Sequence, residues 1–312
     1  MTWSTADIPD QRGRTAVVTG GNGGLGLATV TALAAKGAHV VVAARDQAKA
    51  AAAREQVLAA HPEASLEVVE LDLGALDSVE RAAATVLERH PRLDLLVDNA
   101  GVMAMPEGTT EDGFETQLGV NVLGHWVLTA RLLPALVHVA GSRVVTLSSV
   151  AQHQGRALDP ADPHLRRSYD PWRAYGNTKL AMRHLAVGLQ RELSRHGART
   201  EALVAHPGFT DSELQKRTVE SGGGGVLGRA SHVAVRRIGM SVERGALSQL
   251  RAATDPDARG GQLYGPLFAV TGPPVRRPLV RPGTDEAVRR LWQVCERETG
   301  VAMYVAGAVA GR

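Results

Sequence analysis

A chain of 312 residues, 44% of them hydrophobic, can bury a sizeable core, and this length suits one large α/β domain. The net charge of +3 comes mostly from arginines spread along the chain, with no basic run interleaved with aromatics, which argues against nucleic acid as a partner. Cys295 is the only cysteine, so no intrachain disulfide can form, and no Cys, His, Asp and Glu cluster shows metal-ligand spacing.

Short apolar runs rich in Val, Leu and Ala occur at 15–19, 39–43, 66–71, 93–97, 143–147 and 201–205. Helical patterns follow the first five, at about 25–36, 46–60, 75–89, 112–139 and 173–196. Runs that are apolar throughout, rather than alternating, predict strands covered on both faces. Repeated β-α-β units predict a Rossmann-type doubly wound parallel sheet in three α/β/α layers, with ligands beyond the carboxyl ends of the strands. After residue 206 the pattern loosens: a four-glycine run at 222–225, a helix near 241–253, a short strand near 262–264, an irregular Pro- and Arg-rich stretch at 271–283, and a terminal helix at 286–299. No linker divides the chain, so one domain is expected over 1–312, with a lid over the substrate at about 209–240 and a C-terminal extension at about 265–312. The start of the chain lacks a signal-peptide pattern, and the apolar stretch 301–311 is too short to span a bilayer, so a cytoplasmic protein with a docked or frayed tail is expected.

The first strand runs into TGGNGGLG at residues 19–26, before the first helix. Gly20, Gly24 and Gly26 let the backbone turn sharply and approach a pyrophosphate, and the helix start offers unpaired N–H groups to it. Because Gly23 is also glycine, two different glycine spacings are satisfied at once. The second strand ends in Arg45 and then Asp46. An Arg at that place favours the 2′-phosphate of NADP, whereas Asp46 keeps NAD open or caps the next helix.

Tyr175 and Lys179 stand four residues apart at the start of a helical pattern and share one helix face. A cation beside a phenol is expected to lower its pKa and fit it to exchange a proton with a carbonyl or alcohol oxygen. Ser149 ends the fifth strand and Asn99 the fourth, where sites of open sheets lie.

With these residues the chain resembles the classical short-chain dehydrogenase/reductase family, over roughly residues 14–210. The resemblance rests on TGGNGGLG, Asp72 in ELDL, DNAG at 98–101, Asn121 in GVNVLG, Ser149 in TLSSV, YGNTK at 175–179 and HPGFT at 206–210, all in the family's order. It implies a catalytic group of Tyr175 as general acid/base, Lys179 on the nicotinamide ribose, Ser149 polarising the carbonyl, and Asn121 kinking its helix and holding a relay water. It implies cofactor contacts from Gly20, Asn22, Gly24, Leu25 and Gly26, from Arg45, Asp72 and Leu73, from Asn99, Ala100 and Gly101, from Tyr175 and Lys179, and from Pro207, Gly208 and Thr210. Asp98 departs from the Asn that many members carry, and Gly23 from their Ser, Lys or Arg.

The long loop 150–174, the Arg after the second strand and the C-terminal extension resemble the retinol dehydrogenase and protochlorophyllide reductase-like group, which implies NADP and lipophilic substrates. Met103 and Met105, His153 and the 209–240 segment are the expected pocket formers. The expected function is an NADP(H)-dependent carbonyl reductase or secondary-alcohol dehydrogenase, with NAD(H) the other coenzyme. The alternatives are a catalytically silent dinucleotide sensor, or an epimerase or dehydratase using bound NAD transiently. The resemblance also implies a homodimer or homotetramer that pairs through the helices near 112–139 and 173–196.

Overall fold

The computed structural model describes residues 2–210, 239–279 and 283–311. Eight strands form one sheet: β1 (Thr15–Thr19), β2 (His39–Ala44), β3 (Ser65–Glu70), β4 (Leu95–Asp98), β5 (Arg143–Leu147), β6 (Glu201–Ala205), β7 (Leu263–Pro266) and β8 (Pro274–Arg277). Their order is β3-β2-β1-β4-β5-β6-β7-β8, with neighbours parallel from β3 through β7 and β8 antiparallel to β7. The helices are α1 (Gly24–Ala34), α2 (Gln47–Ala60), α3 (Leu76–Arg89), α4 (Thr116–Leu118), α5 (Gly124–Leu136), α6 (Pro171–Arg195), α7 (Val242–Thr254), α8 (Thr284–Thr299) and α9 (Val305–Ala310).

Side chains of a strand alternate between faces, and here both faces are buried. Val17 and Val41 join one core with α3, α5 and α6, while Ala16, Val18, Val40 and Val42 join a second with α1 and α7. Two apolar layers explain why the runs in the sequence are continuous. The chain winds outward from β1 to β3 and then restarts at β4 on the other side of β1. A crevice opens at this switch point, beyond the carboxyl ends of β1 and β4.

Two elements differ from the sequence expectation. The single helix expected at 112–139 is a short α turn, a π-helical turn over Gly119–Leu123, and then α5. The stretch expected to be irregular contains β8, whose Pro274 pairs with Pro266. An edge strand tolerates proline because one side of it needs no partner, so proline and arginine there did not mean a loop. Most of the 209–240 segment and its glycine run lie outside the described residues.

The C-terminal extension docks on the first core, against α5 and α6. Trp126 of α5 donates its indole N–H to the Val301 carbonyl at 2.7 Å and meets Trp292 edge-on at 5.0 Å. Gly188 of α6 leaves the space that the Trp292 ring occupies; a Cβ there would overlap that ring. Gly188→Leu is therefore expected to destabilise the protein by about 1–3 kcal/mol through overpacking. An unchanged Tm would mean that α8 does not seat on α6. Among the described residues, no helix is long and apolar enough to cross a membrane.

Candidate active site

A cleft of about 800 Å³ runs along the carboxyl edge of the sheet, from the loop after β1 to the start of α6. Its first wall is the glycine loop. Gly20 takes a positive φ of 64°, and a Cβ on Gly26 would overlap the Gly20 carbonyl. Only glycine permits that turn and that approach. Gly23 caps α1 without any side-chain hydrogen bond, so the first N–H groups of the helix face the cleft unpaired. This is an anion cradle, and it suits a pyrophosphate.

Farther along, Arg45, Asp46, Lys49 and Asp72 line the cleft at the ends of β2 and β3. Asp46 is committed to its helix: its carboxylate accepts from the Lys49 N–H at 2.9 Å and caps α2. Asp72 accepts from the Gly74 N–H at 2.9 Å and lies 3.6 Å from the Arg45 guanidinium, which is largely exposed. Leu73, Asn99, Ala100 and Gly101 continue the lining, and Pro207, Gly208 and Thr210 close it from β6.

Ser149, Tyr175 and Lys179 form the far wall. Ser149 follows β5 and caps a short 3-10 turn, while Tyr175 and Lys179 come from the first turns of α6, itself capped by Asp170. The Ser148 hydroxyl donates to the Lys179 carbonyl at 2.7 Å and fixes α6 against β5. Lys179 donates its ammonium to the Leu147 carbonyl at 3.2 Å and sits 5.8 Å above the Tyr175 ring centroid.

The expected lowering of the phenol pKa is not what the structure shows. Burial pushes Tyr175 up to about 12, and a hydrogen bond with Ser149 only partly offsets this. The ammonium lies over the ring and bonds to a carbonyl, so desolvation dominates the phenol. Burial also lowers Lys179, to about 8.

Asn121 does not line the cleft; it lies fully buried behind it, in the π-helical turn. Its amide donates to the Val102 carbonyl at 2.9 Å and to Thr178 at 3.0 Å, and its side-chain oxygen accepts from the Val102 N–H at 2.8 Å. The Thr178 hydroxyl donates in turn to the Tyr175 carbonyl at 2.9 Å. Asn121 thus ties the loop that follows β4, at Val102, to the helix that carries Tyr175.

His125 extends this network and was not singled out in the sequence. Its ring bridges the Asn121 carbonyl at 3.1 Å and the Thr19 hydroxyl at 2.9 Å. Burial pushes it down to about 3, so it is neutral. A carbonyl can only accept; Nδ1 therefore carries the proton and Nε2 accepts from Thr19. Thr19 itself accepts from the N–H groups of Asn99 and Ala100, both at 2.9 Å. Beside it, Asp98 is buried with one oxygen bonded by Thr129 at 3.2 Å and the other unpartnered, and burial raises it to about 8.

Of the expected pocket formers, Met103 lines the cleft, Met105 uses its carbonyl to accept from Tyr169 at 2.9 Å, and His153 is absent from the lining. Trp172, Phe209 and Lys49 line it as well. Lys49 had a visible signal, one turn beyond Arg45 at the start of a helix; His125 had none.

The model of the short chain dehydrogenase family matches residues 14–222, and the chain belongs to that family, whose members use NAD(P)(H). Within it, the chain falls in the retinol dehydrogenase-like group. It is 38% identical to polyprenol dehydrogenase of Mus musculus over 298 residues, 94% of this chain and 86% of that one. It is 34% identical to retinol dehydrogenase 13 of Mus musculus over 304 residues, 96% of this chain and 87% of the relative. A solved structure of an uncharacterized protein from Mycobacterium paratuberculosis superposes with a TM-score of 0.77 at 36% identity, covering 97% of this chain and 99% of the other. The protein is a short-chain dehydrogenase/reductase-type oxidoreductase.

Proposed function

We propose that this oxidoreductase is an NADP(H)-dependent carbonyl reductase or secondary-alcohol dehydrogenase acting on a lipophilic substrate, with Tyr175 as the acid/base. One observation carries the reading: Ser149, Tyr175 and Lys179 share a cleft with the uncapped start of α1 and with Arg45. Met103, Val150, Trp172 and Phe209 supply apolar wall in the same cleft. The names of the retinol and polyprenol dehydrogenases among the relatives support a lipophilic alcohol or carbonyl.

The glycine cradle and the N-terminus of α1 would hold the pyrophosphate of the coenzyme. Its nicotinamide supplies or accepts the hydride when bound. Tyr175, held protonated at neutral pH by its burial, donates its proton to the substrate oxygen in reduction. Ser149 donates a hydrogen bond to the same oxygen and stabilises charge there. Lys179, charged below about pH 8, steadies the phenolate left behind. Asn121, through Thr178, holds α6 in register with the end of β4. The rate of reduction (kcat/KM) is therefore expected to be level on the acid side and to fall above about pH 8, as Lys179 loses its proton. A rate that climbs through pH 9 would contradict this role for Lys179.

Arg45 and Lys49 supply two cations near the end of β2, while the carboxylate of Asp46 is occupied as a helix cap. That charge pattern supports a 2′-phosphate over bare ribose hydroxyls. The double variant Arg45→Ala, Lys49→Ala is expected to raise KM for NADPH about 10- to 100-fold, with that for NADH nearly unchanged. Wild-type preference for NADH, or equal losses with both coenzymes, would overturn the assignment. A two-fold assembly through α5 and α6 would have to leave room for α8 and α9, which pack against them.

A further inference from the structure

We propose a divalent-cation site of the zinc class, formed by His39, Glu67 and His90 at the amino end of the sheet. The three residues come from the first position of β2, the middle of β3 and the cap that follows α3. β3 is the edge strand of the sheet. The coenzyme cleft begins at the other end of β2, about 16 Å away at about 3.3 Å per residue. The site is thus independent of the oxidoreductase reading.

The donor set is two imidazoles and one carboxylate, a combination that zinc accepts. One ligand atom from each lies within 4.8 Å of the others. Two ligands about 2.0–2.2 Å from a tetrahedral metal stand about 3.3–3.6 Å apart. His39 Nε2 is 3.6 Å from Glu67 Oε2, at that edge length. His90 Nε2 is 2.8 Å from the same oxygen, a hydrogen bond that must open by somewhat under 1 Å to admit an ion.

His39 supplies the second observation. Its Nδ1 is bonded to the Ser65 hydroxyl at 2.7 Å, and its Nε2 is buried with no hydrogen-bond partner. With the proton on Nδ1, a lone pair on Nε2 faces a carboxylate. With the proton on Nε2, a donor stands too far from its acceptor. Either tautomer leaves the atom unsatisfied, and a cation between it and Glu67 satisfies both. Ser65 would then orient the ring from behind, and Arg89, bonded to the other oxygen of Glu67, would orient the carboxylate. Arg89 also lowers the affinity by its charge, and water would complete the shell. A metal on His90 Nε2 requires that ring to carry its proton on Nδ1 instead. The ion would clip the edge strand to β2 and to the end of α3, a structural role.

The test uses the full chain, freed of metal with a chelator, and zinc chloride as the probe. Calorimetry is expected to give one equivalent bound, with a Tm that rises with zinc concentration. His39→Asn, His90→Asn should lose both while binding NADPH as the parent does. Cobalt chloride added to the parent should give the strong visible absorption of a four-coordinate site, a readout that needs no variant to fold. No stoichiometric zinc binding, or binding retained in the double variant, would overturn the proposal. So would a cobalt spectrum no different from that of cobalt in buffer.

Discussion

Replacing Tyr175 by Phe is expected to lower kcat by at least about 10³-fold, with the Kd for NADPH within about threefold of the parent. The ring packs edge-on against Trp172 at 6.3 Å and lies beneath the Lys179 ammonium, and Phe keeps both contacts. Only the hydroxyl goes, and with it the hydrogen bond to Ser149 and the proton that the substrate oxygen would receive. The expected loss exceeds that for one hydrogen bond because a neutral ring leaves the developing alkoxide without an acid. Fluorescence titration with NADPH separates binding from turnover. Turnover within tenfold of the parent would remove Tyr175 from the chemistry.

The second large effect concerns stability. Asp98→Asn is expected to stabilise the protein by roughly 2–5 kcal/mol near pH 7.5, since each pKa unit is worth about 1.4 kcal/mol. Asp98 is buried, its Oδ1 has no partner, and burial raises its pKa from 3.8 to about 8. Between these values the folded protein keeps a proton that the unfolded chain has released. Stability therefore falls as pH rises through this window, because the native state binds more protons there. Asn offers Thr129 a neutral acceptor in place of the carboxyl oxygen and does not titrate. The gap between variant and parent in urea unfolding should be small near pH 4 and grow to about pH 8. A gap equal at both ends would mean that the carboxyl is not the cause, and a destabilised variant would mean that amide N–H groups left without acceptors in the buried site cost more than the carboxyl does.

Much of the architecture was legible because burial on both sheet faces writes continuous apolar runs, and six strands could be placed from those alone. The glycine loop was legible because sterics leave few alternatives where Gly26 meets the Gly20 carbonyl. Cofactor contacts expected from Gly20 through Thr210 line one cleft because the topology brings the strand ends together. Asn121 is the exception among the named site residues: its π-helical turn carries it behind the wall, a rotation that helical periodicity does not reveal. The direction of the Tyr175 shift was missed for a related reason. A four-residue spacing puts an ammonium beside a phenol but does not say that the ammonium bonds elsewhere or how dry the phenol is. His125 bonds Thr19 across 106 positions of sequence, and His39, Glu67 and His90 meet only because β2, β3 and α3 pack together. Contacts of that kind belong to tertiary structure and leave no local spacing to read.

In the proposed function, one cleft presents the Tyr175 phenol, the Ser149 hydroxyl and the Lys179 ammonium to the reactive end of a bound dinucleotide. A crystal structure with NADP⁺ and an unreactive carbonyl analogue tests it directly. The 2′-phosphate is expected beside Arg45 and Lys49, and the analogue's oxygen within hydrogen-bond reach, about 2.6–3.2 Å, of both Tyr175 and Ser149. A nicotinamide bound at the other end of the cleft, or an analogue whose oxygen meets neither hydroxyl, would contradict it.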